Sequence, residues 1–133
     1  MKKGARVVIV EDGKILFIHR IKYGKEYYVL PGGAIEEGES PEQAAVREIK
    51  EETSFDIELD KLLWQFEETV KEEVRLGYYF LCTEFKGNLE LGGPELEIQS
   101  EDNKYIFEWI PISDIDKYFI YPAGLKERIK KAF

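Results

Sequence analysis

Cysteine and histidine are nearly missing from this 133-residue sequence, each occurring once. A lone cysteine, Cys82, cannot close an intrachain disulfide, and in its apolar stretch it reads as a small buried hydrophobe. The lone histidine, His19, has no second imidazole near it in sequence and reads as a strand-end residue rather than a catalytic one. Positive charge is in deficit, with 19 Lys+Arg against 27 Asp+Glu and a net charge of −8. Such a surface repels long polyanions, which excludes non-specific nucleic-acid binding. A small phosphorylated substrate stays compatible, because bound cations invert the local field. Long apolar runs are absent as well. The run Val7 to Val10 that follows Met1-Lys2-Lys3 stops at Glu11-Asp12, too short for a signal peptide, and no other run approaches membrane-spanning length. The expected location is cytoplasmic. There is no repeat, linker or low-complexity tract.

What is present suits one domain over residues 1–133: 44% hydrophobic and 35% charged residues, enough chain to bury a core. Residues 5–10 and 15–20 are β-branched and apolar around Asp12-Gly13, a hairpin pattern. Residues 27–30 read as a short strand entering Pro31-Gly32-Gly33. A helix starts at Ser40, with Pro41 at its first position and Gln43 completing a capping box. Its apolar stripe is Ala44, Ala45, Ile49 and Val46. Residues 56–69 and 74–85 read as two strands, and 67–75 as an exposed hairpin. A long Gly- and Glu-rich loop over 86–104 is of the kind that tends to carry function. A strand over 105–110, a short helix over 111–116 and a C-terminal helix over 122–133 complete the order. Tyr78, Tyr79, Phe80 and Trp109 read as core or sheet-face residues, and Tyr23, Tyr27 and Tyr28 as candidates to stack on a base. The fold class is α/β (α+β), a mixed sheet with helices packed on it.

Glu48, Glu51 and Glu52 fall on one face of the helix, within an arc of about 100° and roughly 6 Å along the axis. Seven glutamates between residues 36 and 52 would ordinarily mark a solvated face. Crowded carboxylates also suit a hard divalent cation such as Mg²⁺ or Mn²⁺. The spacing decides between the two. Gly33, Glu39, Arg47, Glu48, Ile49, Glu51, Glu52 and Phe55 fit the pattern G-x5-E-x7-R-E-U-x-E-E-x-G-U, where U is bulky and apolar. This segment, residues 33–55, resembles the Nudix hydrolase box, departing only where Ser54 replaces the second glycine. If that position needs a left-handed backbone, serine costs about 1–2 kcal/mol there.

The resemblance implies an α/β/α sandwich and a Mg²⁺-dependent hydrolase, with Mn²⁺ as a substitute. The implied reaction is water attack on the pyrophosphate linkage of a nucleoside di- or triphosphate derivative. It makes Glu48, Glu51 and Glu52 the expected metal ligands, with Glu48 alternatively the base that takes a proton from water. Arg47, at i,i+4 from Glu51, is expected to hold that carboxylate in one rotamer. Glu39 is expected to satisfy loop amides or the helix dipole. Gly32, Gly33 and Arg20 are the expected substrate contacts. A further carboxylate is expected from the 86–104 loop: Glu101 first, because it lies shortly before the last strand, then Glu97, with Glu95 also available. The segment Glu68 to Glu72 lacks the proline and tyrosine that mark the ADP-sugar and dinucleoside polyphosphate groups, so the substrate within the class stays open. Two other readings stand beside hydrolysis: a Nudix-fold nucleotide sensor, and an acidic helix that docks a basic partner. A homodimer is compatible with all three.

Overall fold

The computed structural model describes residues 1–133. Strand β1 (Lys2–Glu11) turns at Asp12-Gly13 into β2 (Lys14–Lys22), the hairpin expected from the apolar runs on either side of that turn. The two strands pair only at Val10↔Ile15 and Glu11↔Lys14 and then part. Beyond that point β1 runs parallel to β7 (Glu73–Cys82) and antiparallel to β4 (Gly32–Ala34), with β6 (Lys61–Val70) outside β7. β2 instead pairs antiparallel with β3 (Lys25–Val29) and β9 (Asn103–Pro111). The sheet is therefore mixed and forked, closed at the Asp12-Gly13 end and open at the start of β1. A small second ladder joins β5 (Asp56–Glu58) to β8 (Glu84–Lys86).

Helices cover both faces. Ala5, Val7 and Ile9 of β1 pack against Ala44, Ala45 and Ile49 of α1 (Pro41–Thr53), with Phe80 and Cys82 beside them. On the other face, Val8, Phe17 and Tyr79 meet Ile115 of a 3-10 helix (Ile112–Lys117) and Leu125 and Ile129 of α3 (Leu125–Ala132). Full burial of a side chain such as Ile49 contributes about 1.5–3 kcal/mol. This is the α+β sandwich with a mixed central sheet.

Several details differ from the sequence reading. Val46 is 40% exposed, because the apolar stripe of α1 is narrower than its composition suggests. The two long strands break at Leu59-Asp60 and at Thr83, where β5 and β8 leave to form their own ladder. Gly32–Ala34 is a strand, because its backbone pairs with β1. The 86–104 segment is not all loop: Gly93–Ile98 forms α2, started by Pro94. The 67–75 hairpin is not wholly exposed, since Glu68 faces inward and is 4% exposed. No helix is long and apolar enough to cross a membrane.

Candidate active site

The caps of α1 set the position of its carboxylates. The Ser40 hydroxyl accepts the Gln43 N–H at 3.1 Å, and the Gln43 side chain accepts the Ser40 N–H at 2.9 Å, completing the capping box. The helix ends at Ser54, which takes the left-handed conformation (φ 71°) and donates its N–H to Lys50 O at 3.1 Å. The position that would favour glycine is thus held by serine, at about 1–2 kcal/mol.

Between these caps Glu48 and Glu52 lie against the Pro31-Gly32-Gly33 segment. Glu52 is 4% exposed and takes part in no ion pair; its Oε1 accepts the Gly32 N–H at 2.9 Å. Burial pushes its carboxyl up to about 8, and the charges of Glu95 and Glu48 push the same way, against the Gly32 amide and the charge of Arg6. Burial also raises the Glu48 carboxyl above its ordinary value, with Arg47 opposing. Gly33 is needed here by contact: a Cβ at this residue would lie 2.5 Å from Glu48 Oε2.

Arg47 does more than hold Glu51. Its Nε and Nη2 donate to Glu39 at 2.7 and 2.9 Å, its Nη1 to Glu48 at 2.9 Å and to Glu51 at 3.3 Å, and Nη2 also to Ala34 O at 3.0 Å. The bidentate pair pulls the Glu39 carboxyl down to about 2, helped by the Glu36 amide, the loop contact expected of Glu39. Arg47 therefore clasps the loop to the helix. Glu51 is the least constrained of the three, with a side chain 47% exposed.

No three His, Cys, Asp or Glu side chains converge closely enough to enclose one ion. Glu52 bonds the Gly32 amide and Glu48 lies against Gly33, whereas Glu51 is the most exposed of the three and touches Arg47 at 3.3 Å. The donors present are all oxygen, and buried Glu52 lacks a contact counter-ion. That chemistry fits a hard cation bound through one or two carboxylates and its own waters.

Glu52 opens on a cleft of about 900 Å³ between the two arms of the sheet. Glu95 of α2 lines this cleft, as do Gly32 and Gly33. Gly92 anchors α2 beside α1 by donating its N–H to Glu52 O at 3.0 Å. Glu97 is about 200° further round that helix and faces solvent. Glu101 sits exposed in the turn before β9 and does not line the cleft. α2, by contrast, brings Glu95 into the cleft wall and Gly92 against α1.

Arg20 is in the cleft wall and 6% exposed, tied by Nη1 to Lys104 O at 2.6 Å and by Nη2 to Asn103 Oδ1 at 2.8 Å. Its guanidinium lies 3.7 Å from the Tyr105 ring centroid. Of the three tyrosines expected near a base, only Tyr27 lines the cleft. Tyr23 is 73% exposed away from it, and Tyr28 packs on His19 and Tyr118. Sequence reasoning missed Arg6, Arg75, Tyr105 and Tyr121, which also line the cleft.

The profile of the NUDIX domain matches residues 1–131. A MutT-like protein of Streptomyces ambofaciens is 40% identical over 72 residues, 54% of this chain and 46% of that protein. The ADP-ribose pyrophosphatase of Methanocaldococcus jannaschii is 47% identical over 57 residues, 42% of this chain and 34% of that protein. The chain thus spans less than half the length of either relative. The crystal structure of a MutT NUDIX hydrolase from Burkholderia pseudomallei superposes with a TM-score of 0.76 at 23% identity, covering 99% of this chain and 98% of that one. With the box, the forked sheet and the cleft in place, this match along nearly the whole chain makes it a member of the Nudix hydrolase family, which hydrolyses nucleoside diphosphate derivatives.

Proposed function

We propose that this protein is a Mg²⁺-dependent hydrolase that cleaves the pyrophosphate linkage of a nucleoside di- or triphosphate derivative. The observation that carries this reading is Glu52: a carboxylate 4% exposed, in no ion pair, on the wall of a cleft large enough for a nucleotide. A buried carboxylate is costly to ionise alone, and a divalent cation offsets that cost.

In this reading Glu48 and Glu52 would hold the cation, and Glu51, turned towards Arg47, would reach it through water. A bound Mg²⁺ neutralises phosphate charge and acidifies water. Arg47 keeps Glu48 and Glu39 in fixed positions, so the loop and helix hold their spacing as substrate enters. Glu95, rather than Glu101, takes the proton from the attacking water, because it faces the cleft beside Glu52. The new P–O bond forms from that water as the bridging P–O bond breaks. Arg6, which donates Nη1 to Gly32 O at 2.9 Å, is placed to contact a phosphate. The pyrophosphatase activity named for the Methanocaldococcus relative is in keeping with this chemistry.

The test is turnover of nucleoside triphosphates, nucleotide sugars and dinucleoside polyphosphates with saturating Mg²⁺, following phosphate and pyrophosphate release. One class is turned over, and Glu52→Gln lowers its kcat by at least about a hundred-fold. Full turnover by Glu52→Gln would remove the ligand assignment. Ligand-dependent melting without product from the unmodified protein would make it a sensor instead.

A further inference from the structure

Next to Arg6 the cleft holds a second cluster of residues that hydrolysis as described does not use. There β1 and β7 run side by side, with Gly4 opposite Gly77 and Arg6 opposite Tyr79. Glu68 of β6 lies among them with a side chain wholly shielded from solvent. It accepts the Tyr79 hydroxyl and, at 3.1 Å, Arg75 Nε. Gly77 leaves the space for it, since a Cβ there would stand 2.6 Å from Glu68 Oε1. Strand β6 thus delivers a carboxylate to the one place where the neighbouring strand has no side chain.

The consequence falls on Arg75. Glu68 engages only its Nε, and no protein acceptor takes its terminal amines. Its side chain is 21% exposed and lines the cleft. A guanidinium held by Nε presents its outer fork in a fixed direction, the arrangement suited to a phosphoryl group. Arg6 stands next in line, in no ion pair, with one amine on Gly32 O. Seven lysines and arginines line the cleft against three glutamates, within a chain of net charge −8. The crowding of cations extends to the rim, where the charge of Lys71 pulls the Lys22 ammonium below its ordinary value. An excess of one sign inside a chain of the other sign marks the charge of the ligand.

We propose that Arg75, oriented by Glu68 and assisted by Arg6, binds a phosphoryl group that the substrate carries beyond the two phosphates of the scissile linkage. The cleft then selects nucleoside triphosphates and dinucleoside polyphosphates over nucleotide sugars, whose second substituent is neutral. Arg75 is the specificity residue and Glu68 its positioning residue. This rests on the hydrolytic reading for where the scissile linkage lies, at Glu48 and Glu52.

The test is calorimetric binding of a nucleoside triphosphate and of a nucleotide sugar with the same base, in EDTA at fixed ionic strength. The triphosphate binds about ten-fold tighter or more. Arg75→Ala abolishes that difference by weakening the triphosphate alone, and Arg75→Lys, with a compact ammonium, recovers only part of it. With Mg²⁺, Glu68→Gln keeps the Arg75 charge but loosens its direction, raising KM for the triphosphate several-fold at unchanged kcat. Far-UV circular dichroism establishes that each variant is folded, and Arg75→Lys decides the matter where Arg75→Ala is not. Equal affinity for the two ligands, or a preference undiminished in folded Arg75→Ala or Arg75→Lys, would overturn the proposal. Hydrolysis without the preference leaves the hydrolytic reading standing and removes this one. The preference without hydrolysis does the reverse.

Discussion

Glu52 and Glu68 are buried to the same degree, each 4% exposed; Glu52 lines the cleft itself, and Glu68 holds Arg75, which lines it. Glu68 is matched by a guanidinium and a phenol; Glu52 has one backbone amide and no ion pair. Burial therefore means different things for the two. Around Glu68 the protein supplies the compensating charge itself, and the carboxylate serves to aim an arginine. Around Glu52 the protein supplies one amide and no contact cation, and burial pushes the carboxyl up to about 8. A buried charge completed by the fold is part of the frame, and one left incomplete marks where a ligand belongs.

The two residues should then respond in opposite ways to loss of charge. Removing Glu68 as Glu68→Ala strands Arg75 and the Tyr79 hydroxyl, and urea unfolding should show a loss of about 3–5 kcal/mol. Glu52→Gln in metal-free protein at pH 8 should show no loss, and a comparable loss there would erase the contrast.

A smaller effect comes from pH. The Glu52 carboxyl sits at about 8 in the folded chain, above the ordinary carboxylate value of the unfolded one. Between those values the folded state holds a proton that the unfolded state has released, so metal-free stability falls as pH rises from about 5 to 8. In EDTA, the melting temperature should drop by roughly several degrees over that range, and the slope should vanish in Glu52→Gln. A rising curve would show that Glu52 is compensated after all.

The smallest effect expected is at the helix end that separates α1 from its loop. Ser54→Gly relieves the left-handed strain and should raise unfolding stability by about 1 kcal/mol. Activity should be unchanged, because the serine touches neither Glu48 nor Glu52. A large change in turnover would tie the helix terminus to the chemistry.

The box end of the cleft was legible because it is local. One helix and the loop before it hold Gly33, Glu39, Arg47, Glu48 and Glu52, and helical spacing alone brings them together. The Arg75 end is assembled from β1, β6 and β7, and no local period links residues 6, 68, 75 and 79. A weak signal did exist: Trp64, Phe66 and Glu68 share one phase of β6, and a charged residue in an apolar phase calls for a buried partner. The alternating charges around it disguised that signal as a solvated hairpin. Glu95 was obscured differently, since only a helix inside an apparent loop makes it, and not Glu101, return to α1.

The fork between β1 and β2 bears on how binding and shape are linked. The arms join through two residue pairs beside Asp12-Gly13, while Arg6 and Arg20 stand on separate arms nearer the open end. A molecule that touches both arginines becomes a second bridge between the arms, remote from the first. Such a bridge joins two strands that backbone hydrogen bonds leave apart there.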